Sequence, residues 1–168
     1  MKKIGLIIVL CFVATNIFVG CGDQTSESKQ ISQSVAIANP WTDWTTMEEA
    51  EAAVGFTFGL PEVIADNFTA SAFRTMSNEL LEVIYHYNEF EIRVRKQIGE
   101  GQDISGDYNQ YDICTEESIA GGTITYYHNS GNNAVKQLIS YNGYSWSLVA
   151  PNGYGADSDW NFASAISE

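Results

Sequence analysis

Three groups of residues have types and spacings that could do chemistry. The first is Asp103-x-Ser105-x-Asp107-x-Asn109, with Asp112 beyond it. Oxygen side chains at alternate positions of a loop can wrap a hard cation such as Ca²⁺, which takes about 6–8 oxygen ligands. An EF-hand is excluded: Gly106 falls early, Tyr108 stands where the glycine belongs, and Cys114 replaces the bidentate glutamate. A looser Ca²⁺ loop built on Asp103, Asp107 and Asn109 remains one reading. The other is that Asp103 and Ser105 cap a turn through Asx-type hydrogen bonds, while Asp107 and Asn109 begin a strand. No cofactor besides Ca²⁺ is suggested.

The second group is cationic: Arg74, Arg93, Arg95 and Lys96. Arg93 and Arg95 fall on one face of a strand and could clamp a carboxylate or phosphate. The competing reading pairs them across strands with Glu82, Glu91 and other acids. The third group is aromatic. Tyr108, Tyr111, Tyr126, Tyr127, Tyr141, Tyr144, Trp146 and Tyr154 lie among Asn and Gln. Rings beside amides could bind glycan or peptide, although aromatic residues also serve simply as strand formers and core. Tyr108, Tyr111, Arg93 and Arg95 are the candidate ligand-binding residues.

Enzyme constellations are missing. The sequence has no Gly-x-Ser-x-Gly, no His-Glu-x-x-His, no Gly-rich phosphate loop, and only two His. An envelope-polymer hydrolase would need two carboxylates held at catalytic separation. With 21 Asp and Glu, chance proximity makes any such pair unpersuasive. A non-catalytic role is the expectation.

The charge balance narrows the partners. The chain has 8 Lys and Arg against 21 Asp and Glu, a formal net of −13. That argues against nucleic acid and against an anionic bilayer surface as partners, because both call for basic patches. Disorder is excluded for most of the chain, since 45% of residues are apolar and 12% aromatic. The 168 residues allow one domain with a core.

The N-terminus gives an address. Met1-Lys2-Lys3 is a basic n-region, and Ile4 to Phe18 is an apolar run. The run is shorter than the ~20 residues of a membrane span and suits a signal h-region. Phe18-Val19-Gly20-Cys21 resembles the lipobox of bacterial lipoproteins, with Phe18 in place of the usual Leu. The resemblance implies cleavage before Cys21 and diacylglycerol on its sulfur. Residues 1–20 are then a signal peptide. Cleavage would remove Lys2 and Lys3 and leave the chain more acidic still. Gly22 to Ser34 is almost wholly polar and cannot offset its own ordering entropy, so residues 21–38 are expected to form a flexible tether. The expected location is the cell membrane, lipid-anchored and facing outside the cytoplasm. Of three Cys, Cys11 falls in the signal and Cys21 takes the lipid. Cys114 therefore has no intramolecular partner and is expected to be buried in a strand.

Residues 39–168 should hold one globular domain. Thr46-Met47-Glu48-Glu49 is a capping box, and Met47, Ala50 and Val54 form an apolar stripe that ends at Gly55. This predicts a helix over Met47–Val54. The period then changes to two. Strands are predicted at Phe68–Thr75, Leu80–Tyr87, Phe90–Gln97, Tyr108–Cys114, Thr123–His128, Val135–Tyr141 and Tyr144–Ala150. Asn88-Glu89 and Asn142-Gly143 are the tight turns. A last helix is predicted from a cap at Asp157 or Ser158 through Ile166, with Trp160, Ala163 and Ile166 along one side. The fold class is α+β: an antiparallel meander sheet of six or seven strands, with an N-terminal and a C-terminal helix packed on one face.

Several segments together resemble a family. Asn39-Pro40-Trp41, Glu49-Ala50, Val54-Gly55-Phe56 and Pro61 are similar to the opening of an uncharacterised domain of bacterial envelope lipoproteins. Asp103-Ile104-Ser105-Gly106-Asp107-Tyr108-Asn109 resembles its central motif, and Tyr144-Ser145-Trp146-Ser147-Leu148 its last strand. Related domains look like the extracytoplasmic parts of envelope and sporulation regulators. The resemblance implies an extracytoplasmic address and this fold, and carries over no catalytic residue. The expected partners are the membrane, through Cys21, and an envelope protein, small ligand or glycan.

Overall fold

Thr46 and Glu49 close a reciprocal capping box on α1 (Met47–Val54) in the computed structural model, which describes residues 39–65, 67–130, 135–153 and 161–167. Glu49 N donates to Thr46 Oγ1 at 3.3 Å, and Thr46 N donates to Glu49 Oε2 at 3.3 Å. Gly55 ends the helix at φ 77°, where its N–H reaches Glu51 O at 2.8 Å. Only a residue without a Cβ adopts that geometry cheaply.

The rest is mainly antiparallel sheet. Two short strands, β1 (Trp41–Trp44) and β2 (Val63–Ile64), precede β3 (Phe68–Met76), β4 (Leu80–Tyr87) and β5 (Phe90–Ile98). Then come β6 (Ile113–Ile119), β7 (Gly122–His128), β8 (Val135–Tyr141) and β9 (Tyr144–Ala150). A short helix, α2 (Phe162–Ser167), follows. The order across the sheet is β1-β3-β4-β5-β9-β8-β7-β6, with β2 paired to β3. Among the described residues the nine strands exceed the six or seven expected, because β1 and β2 are too short to leave a period-two signature.

The meander expectation also needs correction. β5 pairs with β9, whereas β6 lies at the far edge. The segment expected as a strand at Tyr108–Cys114 becomes one only from Ile113. Upstream of that point its polar side chains bond within the loop rather than facing a neighbouring strand. The expected cap of the last helix and Trp160 lie outside the described residues, as do Tyr154 and part of the turn after β7.

The apolar face of the sheet carries the core. Leu81, Val83, Tyr85, Ile92, Val94, Ile124 and Leu148 are fully buried. Burying one such side chain stabilises by about 1.5–3 kcal/mol. Ala50 and Val54 of α1 and Phe162 of α2 join this cluster. The two helices do not supply the cover by themselves, as had been expected. α1 packs chiefly on β1, β3 and β4, and much of the remaining cover comes from the irregular segment around Phe56, Phe58 and Leu60. Phe58 packs on Trp146 with ring centroids 5.6 Å apart. Tyr85 Oη donates to Pro61 O at 3.1 Å and ties the end of that segment down.

One cation also sits on the apolar face. Alternation puts Lys96 beside Val94 and directly across from Trp146, away from Arg93 and Arg95. Its ammonium donates to Thr57 O at 2.6 Å and Phe58 O at 3.2 Å. It lies 4.3 Å from the Tyr144 ring and 4.5 Å from the Trp146 ring. Burial pulls the Lys96 pKa below the ordinary lysine value, and the charge of Glu51 opposes that.

Candidate functional site

The opposite face is polar, and it is crossed by a strap. Residues 99–112 leave the end of β5, pass over β9 and β8, and lead to β6 at the far edge. The sequence prepares the track by placing serines at outward positions of β8 and β9. Ser145 Oγ donates to Gly99 O at 2.7 Å and accepts from Gln102 N at 3.0 Å. Ser140 Oγ accepts from Gly101 N at 2.8 Å. Small hydroxyls let backbone lie on the sheet while its N–H and C=O groups stay paired.

A charge network pins the middle of the strap. Arg74, Glu82 and Arg95 stand in one row across β3, β4 and β5. Glu82 is 0% exposed. One of its carboxylate oxygens pairs with Arg74, and the other accepts from Arg95 Nε at 2.6 Å. Trp41 covers both guanidiniums, at 4.7 Å from Arg74 and 5.1 Å from Arg95. Arg95 Nη1 then donates to Ile104 O at 2.9 Å. Gly106 follows at φ 61°, where a Cβ would collide with the Arg95 guanidinium. The cross-strand reading of Arg74 and Arg95 is therefore the one observed. Arg95 is a buried anchor of the strap, with its face turned from solvent.

The oxygen loop bonds mainly to itself. Asp103 Oδ1 accepts from Ser105 N at 3.0 Å and from Ser105 Oγ at 2.6 Å, an Asx turn. Its Oδ2 meets Lys136 Nζ at 3.2 Å. Burial opposes ionisation of Asp103, but the Ser105 and Lys136 contacts outweigh it and hold its carboxyl below the usual range. Asp107 Oδ1 accepts from Asn109 N at 3.1 Å and Asn109 Nδ2 at 2.7 Å. Asp107 Oδ2 accepts from Tyr111 Oη at 2.5 Å. Burial, then that bond and charge, push the Tyr111 pKa up. Among the described residues, no three His, Cys, Asp or Glu side chains come together as metal ligands would. Asp103 and Asp107 face different grooves.

The first groove is the more instructive. It encloses about 390 Å³ between the strap and the β5–β9 seam. Arg93 and Val149, paired across that seam, contribute to its lining together with Pro151. Asp107, Asn109, Gln110, Tyr111 and Asn129 complete the polar part. Arg93 Nε is held by Glu91 at 2.7 Å, and the Arg93 side chain is 34% exposed. Asn129 Oδ1 accepts from Asp112 N at 2.8 Å, which leaves its Nδ2 as the group to meet a ligand. Tyr108, between two lining residues, is 95% exposed. The second groove, about 330 Å³, includes Asp103, Glu116, Thr123, Thr125 and Ser140.

The structure thus gathers Arg93 and Tyr111, with Asn109 and Asp107, around one groove, and sets Tyr108 beside it. Arg95 and Asp103 go elsewhere. Gln110, Asn129, Val149 and Pro151 were missed. Asn129 and Val149 reach the groove only through strand pairing that no local pattern reveals. The expectation for Cys114 is overturned too. It is exposed, because β6 is an edge strand rather than an interior one. Tyr126, Tyr127, Tyr141 and Tyr144 are half-buried, whereas Trp146 is core. No family model matches the chain, and no curated protein or solved structure matches it either.

Proposed function

We propose that this is a membrane-tethered extracytoplasmic lipoprotein domain that binds rather than catalyses, taking a small ligand or a segment of an envelope protein in the Arg93–Tyr111 groove. The observation that carries the reading is the convergence there of one half-exposed arginine, one carboxylate, three amides and a tyrosine on a small aliphatic floor. Convergent polar groups of this kind are what fix a ligand's orientation and specificity in a binding site. The lipobox-like Phe18-Val19-Gly20-Cys21 and the polar stretch after it support the address.

A thermal-shift screen of the detergent-solubilised protein tests the binding reading. Low-molecular-mass envelope extract, lipids and Ca²⁺ are the additives. A ligand that binds the native state raises the midpoint by mass action, by a few degrees at concentrations well above Kd. The rise should vanish in Asn129→Ala or Tyr111→Phe. No rise with any fraction, or a rise indifferent to both substitutions, would count against the groove.

The address has its own test. Cys21→Ala should abolish palmitate labelling and release the protein from the membrane fraction. Continued labelling of the variant would remove the lipid reading.

A further inference from the structure

Resting on the groove as a binding site, we infer that its ligand is a carboxylated carbohydrate, with the acid group on Arg93 and a sugar ring against Tyr108.

The lining narrows the chemistry. The apolar floor is limited to Val149 and Pro151, too little to anchor the large side chains by which peptides are held in pockets. The walls are amides. Gln110 and the free ends of Asn109 and Asn129 offer both donors and acceptors. Hydroxyl groups, which donate and accept at once, match such a wall better than a purely anionic or purely apolar ligand. Phosphate is a poor match because a single half-exposed cation faces it.

One acid group is nevertheless called for. Arg93 spends only its Nε on Glu91, and among the described residues its two terminal nitrogens meet no acceptor. A guanidinium presents those nitrogens as a fork that fits a carboxylate bidentately. The other nearby charge, Asp107, lines the same groove, but both its oxygens already accept from Tyr111 or Asn109. In a chain of formal net −13, an anion would otherwise be repelled, so the arginine must select it locally.

Tyr108 supplies the remaining part. A tyrosine 95% exposed between two groove residues has no packing role. The strap fixes its backbone, because Asp107 and Asn109 on either side are tied to each other. The ring, beside the lining and open to solvent, offers a flat apolar platform of the kind that sugar faces cover.

The test is titration calorimetry on the full-length, detergent-solubilised protein with three probes. They are a galacturonate tetramer, the uncharged N-acetylglucosamine tetramer, and poly-glutamate. The galacturonate tetramer should bind at least tenfold more tightly than the uncharged one, and poly-glutamate should not bind. Arg93→Gln should weaken galacturonate about tenfold with the uncharged sugar unchanged, and Tyr108→Ala should weaken both sugars about fivefold. Arg93 and Tyr108 are at the surface, so circular dichroism should find both variants folded. Equal binding of the two sugars, or galacturonate binding unmoved by Arg93→Gln, overturns the acid group. Absence of binding by both sugars overturns the carbohydrate. If envelope extract still raises the midpoint in an Asn129-dependent way, the groove stands and the ligand class alone has failed.

Discussion

Glu82→Ala should destabilise the protein by about 3–5 kcal/mol, the usual cost of removing one partner from a buried ion pair. The carboxylate is fully buried and serves two guanidiniums at once. Its loss leaves Arg95, only 9% exposed, with an uncompensated charge against the sheet. In a domain of this size the thermal midpoint should drop by roughly 10 °C or more. Glu82→Gln is the informative companion. It keeps the volume, yet its amide offers one acceptor where two are needed, so most of the loss should remain. A drop of less than 1 kcal/mol in both variants, by urea denaturation, would mean that the row is not the anchor described. The damage should also reach the groove, since Arg95 passes the strain of Glu82 to Ile104 O and the strap.

Lys96→Met should cost about 2–4 kcal/mol, even though it exchanges a charge for an apolar group of similar length on an apolar face. Two terms oppose each other. Removing the ammonium ends its desolvation, which favours the variant. It also leaves Thr57 O and Phe58 O without their donor, and a buried acceptor left unpaired costs about 1–3 kcal/mol. The contacts with Tyr144 and Trp146 are lost as well. The second set wins because the backbone of Phe56–Leu60 has no regular partner strand to take up the carbonyls. Lys96→Arg should not rescue, because the larger planar head does not fit between the rings. Unchanged urea midpoints for Lys96→Met would show that desolvation dominates.

What could be read in the sequence was what depends on neighbours along the chain. Thr46, Glu49 and Gly55 define α1 to the residue because capping is decided within one turn. Asn88 and Asn142 adopt φ 54° and 50°, as tight turns between adjacent strands demand. β4, β8 and β9 follow from alternation. The strand order was not legible, because the pairing of Arg93 with Val149 joins positions far apart in the chain. One error follows from that gap. Cys114 was expected inside because nothing local marks β6 as an edge. Lys96, a member of the cation group by type, is set on the other face by the two-residue period, as observed. The strap misled differently: Asp107, Asn109 and Tyr111 alternate as a strand would, but their side chains satisfy one another instead of facing a ladder.

The β5–β9 seam also bears on how the molecule assembles. Apart from the join of β1 to β3, the strands on either side of the seam pair with chain neighbours, so each half can zip from its own hairpins. The seam must wait for an encounter across a long intervening stretch, and loop-closure entropy makes such encounters slow. It should therefore close late in folding and open early in unfolding. A ligand held between Arg93 on one half and the strap would act as a latch across that joint, slowing its opening by as much as it stabilises the closed state.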